Sequence, residues 1–485
     1  MNHTKNNMSE IKYSPELIAQ ALLNAEKKDG LFDYHVDGLH LYQHIRIWLY
    51  YEICNKLKIF DQIKQQKTLT RYKEIKAILK HSLMQNDLWG IKESSIAFVE
   101  NMRYDSKEKQ NIYTFPLLEE FKHSHCVIRR SYNDGEYRKI EGYSKNRIYY
   151  DYYVAKRKLL RIALSKTNKS ILFDSIAEVV CESMNNHLAV SIDLTRFISD
   201  YMISSYLSVQ IALDFLGQVK PSLLIVVCSY VHSDIVHAAK NLKIPVIELQ
   251  HGVIYPFHLG YSYPRSQLGT VDIFPDYFFT YGEYWNNIAP FPIKKKNIIA
   301  TGFPYFERQV LKNRRISDES NTLLFISQNT IGLELFKIAI DVAKRVTTQD
   351  VIFKLHPKQY HNWTESYSSL IEDGIPSNLS VLGVESPPIY ELFAISKIQI
   401  GVFSTAIYEG LGFGLKTIIC MLPGWTYCEN LIKKDYAKLA RNSDEVIELI
   451  PSNRNTSFSA SKMFRRNSVE NMQKMIDQIL MKHNS

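Results

Sequence analysis

From residue 94 onward the chain alternates between short unbroken apolar runs and longer stretches with apolar residues at helical spacing. Ser94–Val99 (SSIAFV), His125–Arg129, the SLLIVVCS run introduced by Pro221, Ile244–Leu249, Asp276–Tyr281 and Asn297–Ala300 read as strands. A strand covered on both faces loses the in–out alternation and becomes a continuous apolar run. Between them, Thr195–Val219 predicts a long helix with Phe197, Ile198, Met202, Leu207, Ile211, Leu213 and Leu216 as its apolar positions, and Ser233–Leu242 a short one. A second series repeats the order: strand Thr322–Ser327, helix Ile331–Val346, strands Val351–Leu355 and Leu379–Leu382, helix Pro388–Ile395, then strands Ile398–Phe403 and Lys416–Leu422. Strand–helix–strand alternation is the pattern of open parallel sheets with right-handed crossovers. Glu283 opens a further helix, and Asp444–Ile450 and Ala460–Met481 read as closing helices.

The first 93 residues lack this alternation. Ser14-Pro15-Glu16 opens a helix, with Ser as cap and Pro in the first turn. LFDYHVDGLHLY reads as a hairpin turning at Asp37-Gly38, and His44 to about Ile59 as a helix with Ile45, Trp48, Leu49 and Ile53 on one face. A basic tract follows, with Lys67, Arg71, Lys73, Lys76 and Lys80. It is either a solvated helix face or a contact for anionic lipid headgroups.

A chain of 485 residues exceeds one ordinary core, so two domains and an appendage are expected. Charged content of 22% and apolar content of 45% belong to a globular protein. The net charge of +9 suits a phosphorylated substrate or an anionic surface, and with no arginine-rich block, nucleic acid is not expected as a partner. The six cysteines are scattered and show no zinc spacing. Neither a signal core nor an apolar stretch of membrane-spanning length appears, which predicts a cytoplasmic protein, peripheral at most to the inner face of the membrane.

Candidate chemistry gathers at strand ends, where open α/β sheets bind ligands. Gln250-His251-Gly252 follows the strand Ile244–Leu249, and the loop beyond carries His258, Tyr261, Tyr263 and Arg265. Thr301-Gly302-Phe303-Pro304 follows Asn297–Ala300, and His356-Pro357 closes Val351–Leu355. In GVFSTAIYEGLGFG (401–414) a strand runs into Ser404, a favoured helix cap. Free N–H groups at that helix start form an anion site, and Thr405 and Glu409, four apart, share a face. A phosphate at the helix start and a ribose diol one turn along would fit; the plain alternative is a capped helix whose glycines serve packing. Likewise His-Pro is often a strand stop. No D-x-D, Walker or G-x-G-x-x-G pattern is present, so neither a metal nor a cofactor is expected.

Together QHG, TGFP, KLHPKQ and FSTAIYEG resemble motifs of bacterial GT-B transferases that build surface polysaccharides: capsule Kdo and sialic acid transferases and, more distantly, the CDP-glycerol glycerophosphotransferases of teichoic acid synthesis. The resemblance spans roughly Ser222 to Leu422. LFDYHVDGLHLYQHIR also looks like the start of capsule and O-antigen biosynthesis proteins, with no chemistry attached. The resemblance implies an α/β GT-B fold, two Rossmann-like domains facing across a cleft. The division expected is a mainly helical N-terminal extension (1–93), an acceptor domain (94–311), a nucleotide-donor domain (312–458) and a closing helix (459–485).

Carried over residue by residue, the resemblance makes His356 with Pro357, and Ser404 or Thr405, ligands of the donor phosphate. Glu409 would hold the ribose, and His251 would take a base or acceptor-side role. Gln250, Gly252, His258, Arg265 and Gly302 would line the acceptor side. Asn133-Asp134-Gly135 is an imperfect match to the D/E-D/E-G triplet of bacterial sialyltransferases, which makes Asp134 a rival base, though the tripeptide reads equally well as a turn. QHGVIYP stands where WHGT-type sequences are usual in the glycerophosphotransferases, which favours glycosyl over glycerophosphoryl transfer. The expected activity is an inverting, metal-independent transfer from a nucleotide sugar, CMP-linked acidic sugars before UDP sugars, to a capsule or lipopolysaccharide glycan or its lipid-linked form. The alternatives are a UDP-sugar 2-epimerase-like enzyme and a non-catalytic glycan-assembly subunit.

Overall fold

A computed structural model describes residues 13–59, 96–101, 103–104, 110–129, 132–133, 136–137, 147–164, 167, 169–313, 321–372, 374–451 and 459–484. The chain forms two compact units, one of residues 1–280, 286–299 and 469–485, the other of residues 281–285 and 300–468.

The first unit is built on a seven-stranded sheet. Its strands are β1 (Ile96–Val99), β2 (His125–Arg129), β5 (Arg147–Tyr149), β6 (Leu223–Val227), β7 (Val246–Leu249), β8 (Tyr277–Thr280) and β9 (Ile298–Ala300), in the spatial order 5-2-1-6-7-8-9. β3 (Tyr132–Asn133) and β4 (Glu136–Tyr137) form a separate antiparallel pair. Neighbouring strands from β5 through β8 pair in parallel. Every residue of β1, β6, β7 and β8 is buried, as strands covered on both faces require, Glu248 of β7 included. The Thr195–Val219 helix covers one face with Ile211, Phe215, Leu216 and Val219 against Val99, Leu224 and Val226.

The N-terminal element folds as its turn chemistry dictates. Ser14 caps the Pro15–Lys28 helix, accepting the Leu17 N–H at 3.3 Å. Asp37 and Gly38 both take positive φ (50° and 78°) between the bridged pair Val36 and Leu39, the geometry a two-residue hairpin turn demands. The basic tract from Lys67 to Lys80 lies outside the described residues.

The second unit carries a six-stranded, all-parallel sheet of β10 (Thr322–Ile326), β11 (Val351–Lys354), β12 (Leu379–Leu382), β13 (Ser396–Gly401), β14 (Lys416–Cys420) and β15 (Lys438–Ala440), in the order 12-11-10-13-14-15. Its core joins Leu323, Phe325, Phe353, Ile398, Ile400 and Ile418 to Leu335, Phe336 and Ala339 of the Gly332–Arg345 helix. Two Rossmann-like parallel-sheet domains in one α/β chain are thus present.

Three stretches depart from the sequence reading. Arg147–Tyr149, not among the strands read from the sequence, is the edge strand β5. Glu283–Asn287 makes a 3₁₀ turn in place of an α-helix. The closing helix is broken into Ala460–Met463 and Ser468–Asn484. The break is held from outside: the Arg465 N–H donates to the Tyr281 carbonyl at 2.7 Å, and its guanidinium donates to Ala300 at 3.0 Å. Asn467 turns the chain at φ 58°, and the Glu307 carboxylate accepts the Asn467 and Ser468 N–H groups at 2.7 and 2.9 Å. A carboxylate at a helix start satisfies its orphan donors. Helix propensity reads through residues 464–467; these tertiary bonds do not.

The division between units falls at residues 280–300, not in the polar stretch after Lys312. The helix Pro304–Lys312 packs through Phe306 on Phe464, Phe413 and Tyr390 of the second unit. The Gly302 turn before it (φ 108°) leaves no room for a Cβ, which would overlap the Arg465 carbonyl.

Candidate functional site

In the first sheet the strand order reverses between β1 and β6, so the adjoining carboxyl ends form the topological switch point. Cys228 follows β6 with a left-handed φ of 69°, and the turn places Tyr230 beside His251 from the end of β7. The Gln250 N–H continues the ladder to Phe279 O at 2.9 Å, and its side chain donates to Gly252 O at 2.8 Å, closing the turn on which His251 stands. The His251 carbonyl accepts from the Tyr113 hydroxyl, which Arg103 holds at 3.1 Å.

Both ring nitrogens of His251 have partners. Nδ1 is 3.0 Å from the Tyr261 hydroxyl and Nε2 is 3.2 Å from the Tyr230 hydroxyl. The side chain is 20% exposed, enough to be reached by a substrate atom. Burial, with His258, Arg103 and His232 adding like charge, pushes its pKa down to about 3. Tyr261 is fully buried, stacked on Phe278, and donates to Glu248 Oε1 at 2.6 Å. Glu248 is wholly buried, and that burial raises its carboxyl to about 7 against the opposing effect of Ser229 and Tyr261. Buried His258 accepts the Gly260 N–H at 3.1 Å and packs on Tyr230 and Tyr261; burial pushes it down to about 4. Arg265 is exposed at the head of a 3₁₀ turn.

The N-terminal element secures this loop. Arg46 and Glu26 form a bidentate buried pair (2.8 and 2.7 Å), and the same guanidinium donates to the carbonyls of Leu259 and, at 2.9 Å, Ser262. It also lies 3.9 Å over the Tyr263 ring. His44 bridges Ser233 and His237, both at 2.9 Å. The LFDYHVDGLHLYQHIR segment is therefore the brace of the loop that follows His251.

In the second sheet the order reverses between β10 and β13. Ser404 follows β13 and caps the Thr405–Gly412 helix, its Oγ accepting the Ala406 N–H at 3.2 Å. Thr405 is half-buried and Glu409 buried, one turn further along. On the other side of β10, His356 follows β11 and begins the Pro357–Gln359 turn; its Nδ1 accepts the Lys358 N–H at 3.2 Å. Burial and Lys358 hold its pKa below the usual histidine value, which keeps the ring neutral.

Gln359 fixes that turn. Its Oε1 accepts from the His356 N–H (2.8 Å) and from Ser327 at the end of β10 (2.9 Å), while Nε2 donates to Tyr367 at 2.6 Å. A side chain on Gly332 would overlap this same Gln359. Lys354 is engaged below, with Tyr360 at 3.0 Å and Gly383 O at 3.1 Å. The second unit thus brings His356, Pro357, Ser404, Thr405 and Glu409 to strand ends on both sides of one switch point. The first unit gathers Gln250, His251, Gly252 and His258 after β7, on one side of its switch point. Asp134 lies outside the described residues, and Gly302 belongs to the turn packed on Arg465.

Sequence reasoning placed Tyr261 in the loop after His251 but missed Glu248, Tyr230, Ser327 and Gln359 as members of these clusters. The one readable signal was Glu248, a lone carboxylate inside the apolar run VIEL. Among the described residues no cluster of His, Cys, Asp and Glu suits a metal, and no helix is long and apolar enough to cross a membrane.

No family model and no curated protein matches the sequence. Solved structures similar in fold include UDP-N-acetylglucosamine 2-epimerase from Rickettsia bellii, at 13% identity and TM-score 0.45, covering 80% of this chain and 95% of that one. The UDP-GlcNAc 2-epimerase of Methanocaldococcus jannaschii gives 12% identity and TM-score 0.47, with 80% and 99% covered. The glycotransferase of kitacinnamycin gives 10% and 0.40, with 81% and 96% covered. These likenesses are of fold.

Proposed function

We propose that the chain is a metal-independent glycosyltransferase that uses a nucleotide sugar, with CMP-linked acidic sugars preferred over UDP sugars, and transfers the sugar with inversion to a capsule or lipopolysaccharide glycan or its lipid-linked form. The observation that carries the reading is the second unit's switch point. There a Ser-capped helix start and a neutral imidazole set by Gln359 flank the β10 end. Backbone N–H groups and the helix dipole favour a phosphate, and Glu409 one turn on suits a ribose diol.

In the transfer, the acceptor oxygen attacks the anomeric carbon as the bond from that carbon to the donor phosphate breaks. The phosphate leaves with the electron pair, and its charge is stabilised by the helix start and His356. His251 Nε2 takes the acceptor proton; a neutral ring is the form a base needs. Contact with a membrane surface through basic residues belongs to this proposal.

The test is titration calorimetry with CMP, UDP, CDP and GDP, followed by donor hydrolysis. His356→Ala is expected to weaken nucleotide binding by about 10-fold or more, the worth of one charge-assisted hydrogen bond. His251→Ala is expected to leave it intact and slow turnover. Sugar isomerisation without an acceptor would overturn transfer in favour of an epimerase, and no binding of any nucleotide would leave a non-catalytic subunit.

A further inference from the structure

The buried carboxylate of Glu248 is unused in that account, yet it ends a hydrogen-bonded chain that begins at His251. Glu248 Oε1 and the Tyr261 hydroxyl are 2.6 Å apart, and Tyr261 and His251 Nδ1 are 3.0 Å apart; the carboxylate and Nδ1 themselves are 4.0 Å apart. A phenol has one proton to give. When Glu248 is ionised, Tyr261 must donate to it, so the phenol oxygen accepts from Nδ1–H. Nε2 is then the lone-pair nitrogen, facing the Tyr230 hydroxyl at 3.2 Å, where an acceptor hydroxyl would stand. When Glu248 is protonated, the chain can run the other way. The carboxylic acid donates to Tyr261, Tyr261 donates to Nδ1, and the ring proton moves to Nε2, where it blocks proton uptake.

We infer that Glu248 is a positioning residue that, through the Tyr261 hydroxyl, decides which nitrogen of His251 carries the proton and thereby turns the base on or off. This rests on the reading of His251 as the base. Geometry supports it independently of titration. Tyr261 cannot swing away, because it is stacked on Phe278 and its loop is tied at Leu259 and Ser262 by the buried Arg46. The charged and titratable groups facing His251 are His258, His232 and Arg103, all of which oppose a positive ring, together with Tyr230 and Tyr261. Facing Glu248 are Tyr261, Cys228 and Tyr263, whose acid groups burial raises and so keeps neutral. Among the described residues, Glu248 is thus the anion placed to favour an imidazolium when Nε2 takes the acceptor proton. That proton stays on Nε2, Nδ1 keeps its own, and no transfer to Glu248 is needed.

The experiment is a pH titration of the full-length protein with ¹⁵N-labelled histidine, the His251 ring signals being assigned with His251→Ala. The expected result is the Nδ1–H form above about pH 7 and the Nε2–H form below it, the crossover following the Glu248 carboxyl. Glu248→Gln and Tyr261→Phe should each abolish the crossover, and a structural role alone would leave it in place. An Nε2–H ring throughout in the wild type, or an unchanged crossover in both variants, overturns the relay. Turnover of a CMP- or UDP-sugar separates the two ideas. In Glu248→Gln, loss of the rate inflection near pH 7 supports the relay. Wild-type turnover by His251→Ala overturns the base reading itself, whatever the ring titration shows.

Discussion

Replacing Arg46 by Met isolates what the N-terminal element contributes. The side chain is 1% exposed and its partner Glu26 is fully buried, so the variant leaves a carboxylate whose remaining donor is the Tyr42 hydroxyl at 3.0 Å. Removing one partner of a buried ion pair costs about 3–5 kcal/mol, because the other charge stays desolvated. The carbonyls of Leu259 and Ser262 also lose their guanidinium donor, at about 1 kcal/mol or more each. A double variant, Glu26→Leu with Arg46→Met, removes the stranded charge but not the two orphaned carbonyls. It should recover about 3–5 kcal/mol of the loss and still fall about 2 kcal/mol short of wild type. The assay is urea denaturation of the three proteins, with hydrogen exchange of residues 258–263 read by mass spectrometry. Faster exchange in both variants, with stability partly restored in the double one, is the expected pattern. A single variant within about 1 kcal/mol of wild type, the level of an exposed pair, would refute the reasoning. So would wild-type exchange in the loop.

Further outcomes follow from other sites. The folded-state pKa of Glu248, about 7, lies above the ordinary 4.5, so its contribution to stability is complete below pH 4.5 and is lost as pH rises through 7. Glu248→Gln should therefore remove about 3 kcal/mol of destabilisation between those limits, measured as a flatter stability–pH curve; an unchanged slope would contradict it. His251 has the opposite sign: held near 3, it stabilises above pH 6.5 and loses that contribution as pH falls, which His251→Ala should erase. Ser404→Ala removes a helix cap worth about 1 kcal/mol and should also weaken nucleotide binding; equal affinity would separate the cap from the phosphate site. In Gly302→Ala the new Cβ meets the Arg465 backbone at positive φ, and a cost above about 2 kcal/mol is expected in thermal melts.

The extent to which the fold was legible differs by element. His125–Arg129, Thr195–Val219 and Leu379–Leu382 were bounded correctly because burial pattern and flanking turns agreed locally. The Ser404 cap and Asp37-Gly38 turn were equally local, since a side-chain oxygen or a positive φ acts within three residues. By contrast, β5 has three residues and no apolar run of its own; only pairing with β2 makes it a strand. The break at residues 464–467 is imposed by Tyr281, Ala300 and Glu307, all more than 150 positions away in sequence.

The chain by itself determined two parallel α/β sheets, which strand ends carry His251, His356 and Ser404, and where helices begin, because hydrophobic period and capping are local properties. Tertiary structure decided what surrounds those residues. Sheet order put Ser327 and Gln359 under His356, and Glu248 behind Tyr261. The loop fold brought Tyr230 and Tyr261 to the two nitrogens of one ring, and the helix Tyr42–Lys56 near the N-terminus supplied the Arg46 that holds the loop. Contacts between residues 200 apart leave no period in the sequence, so the protonation state of His251 becomes readable only once the chain is folded.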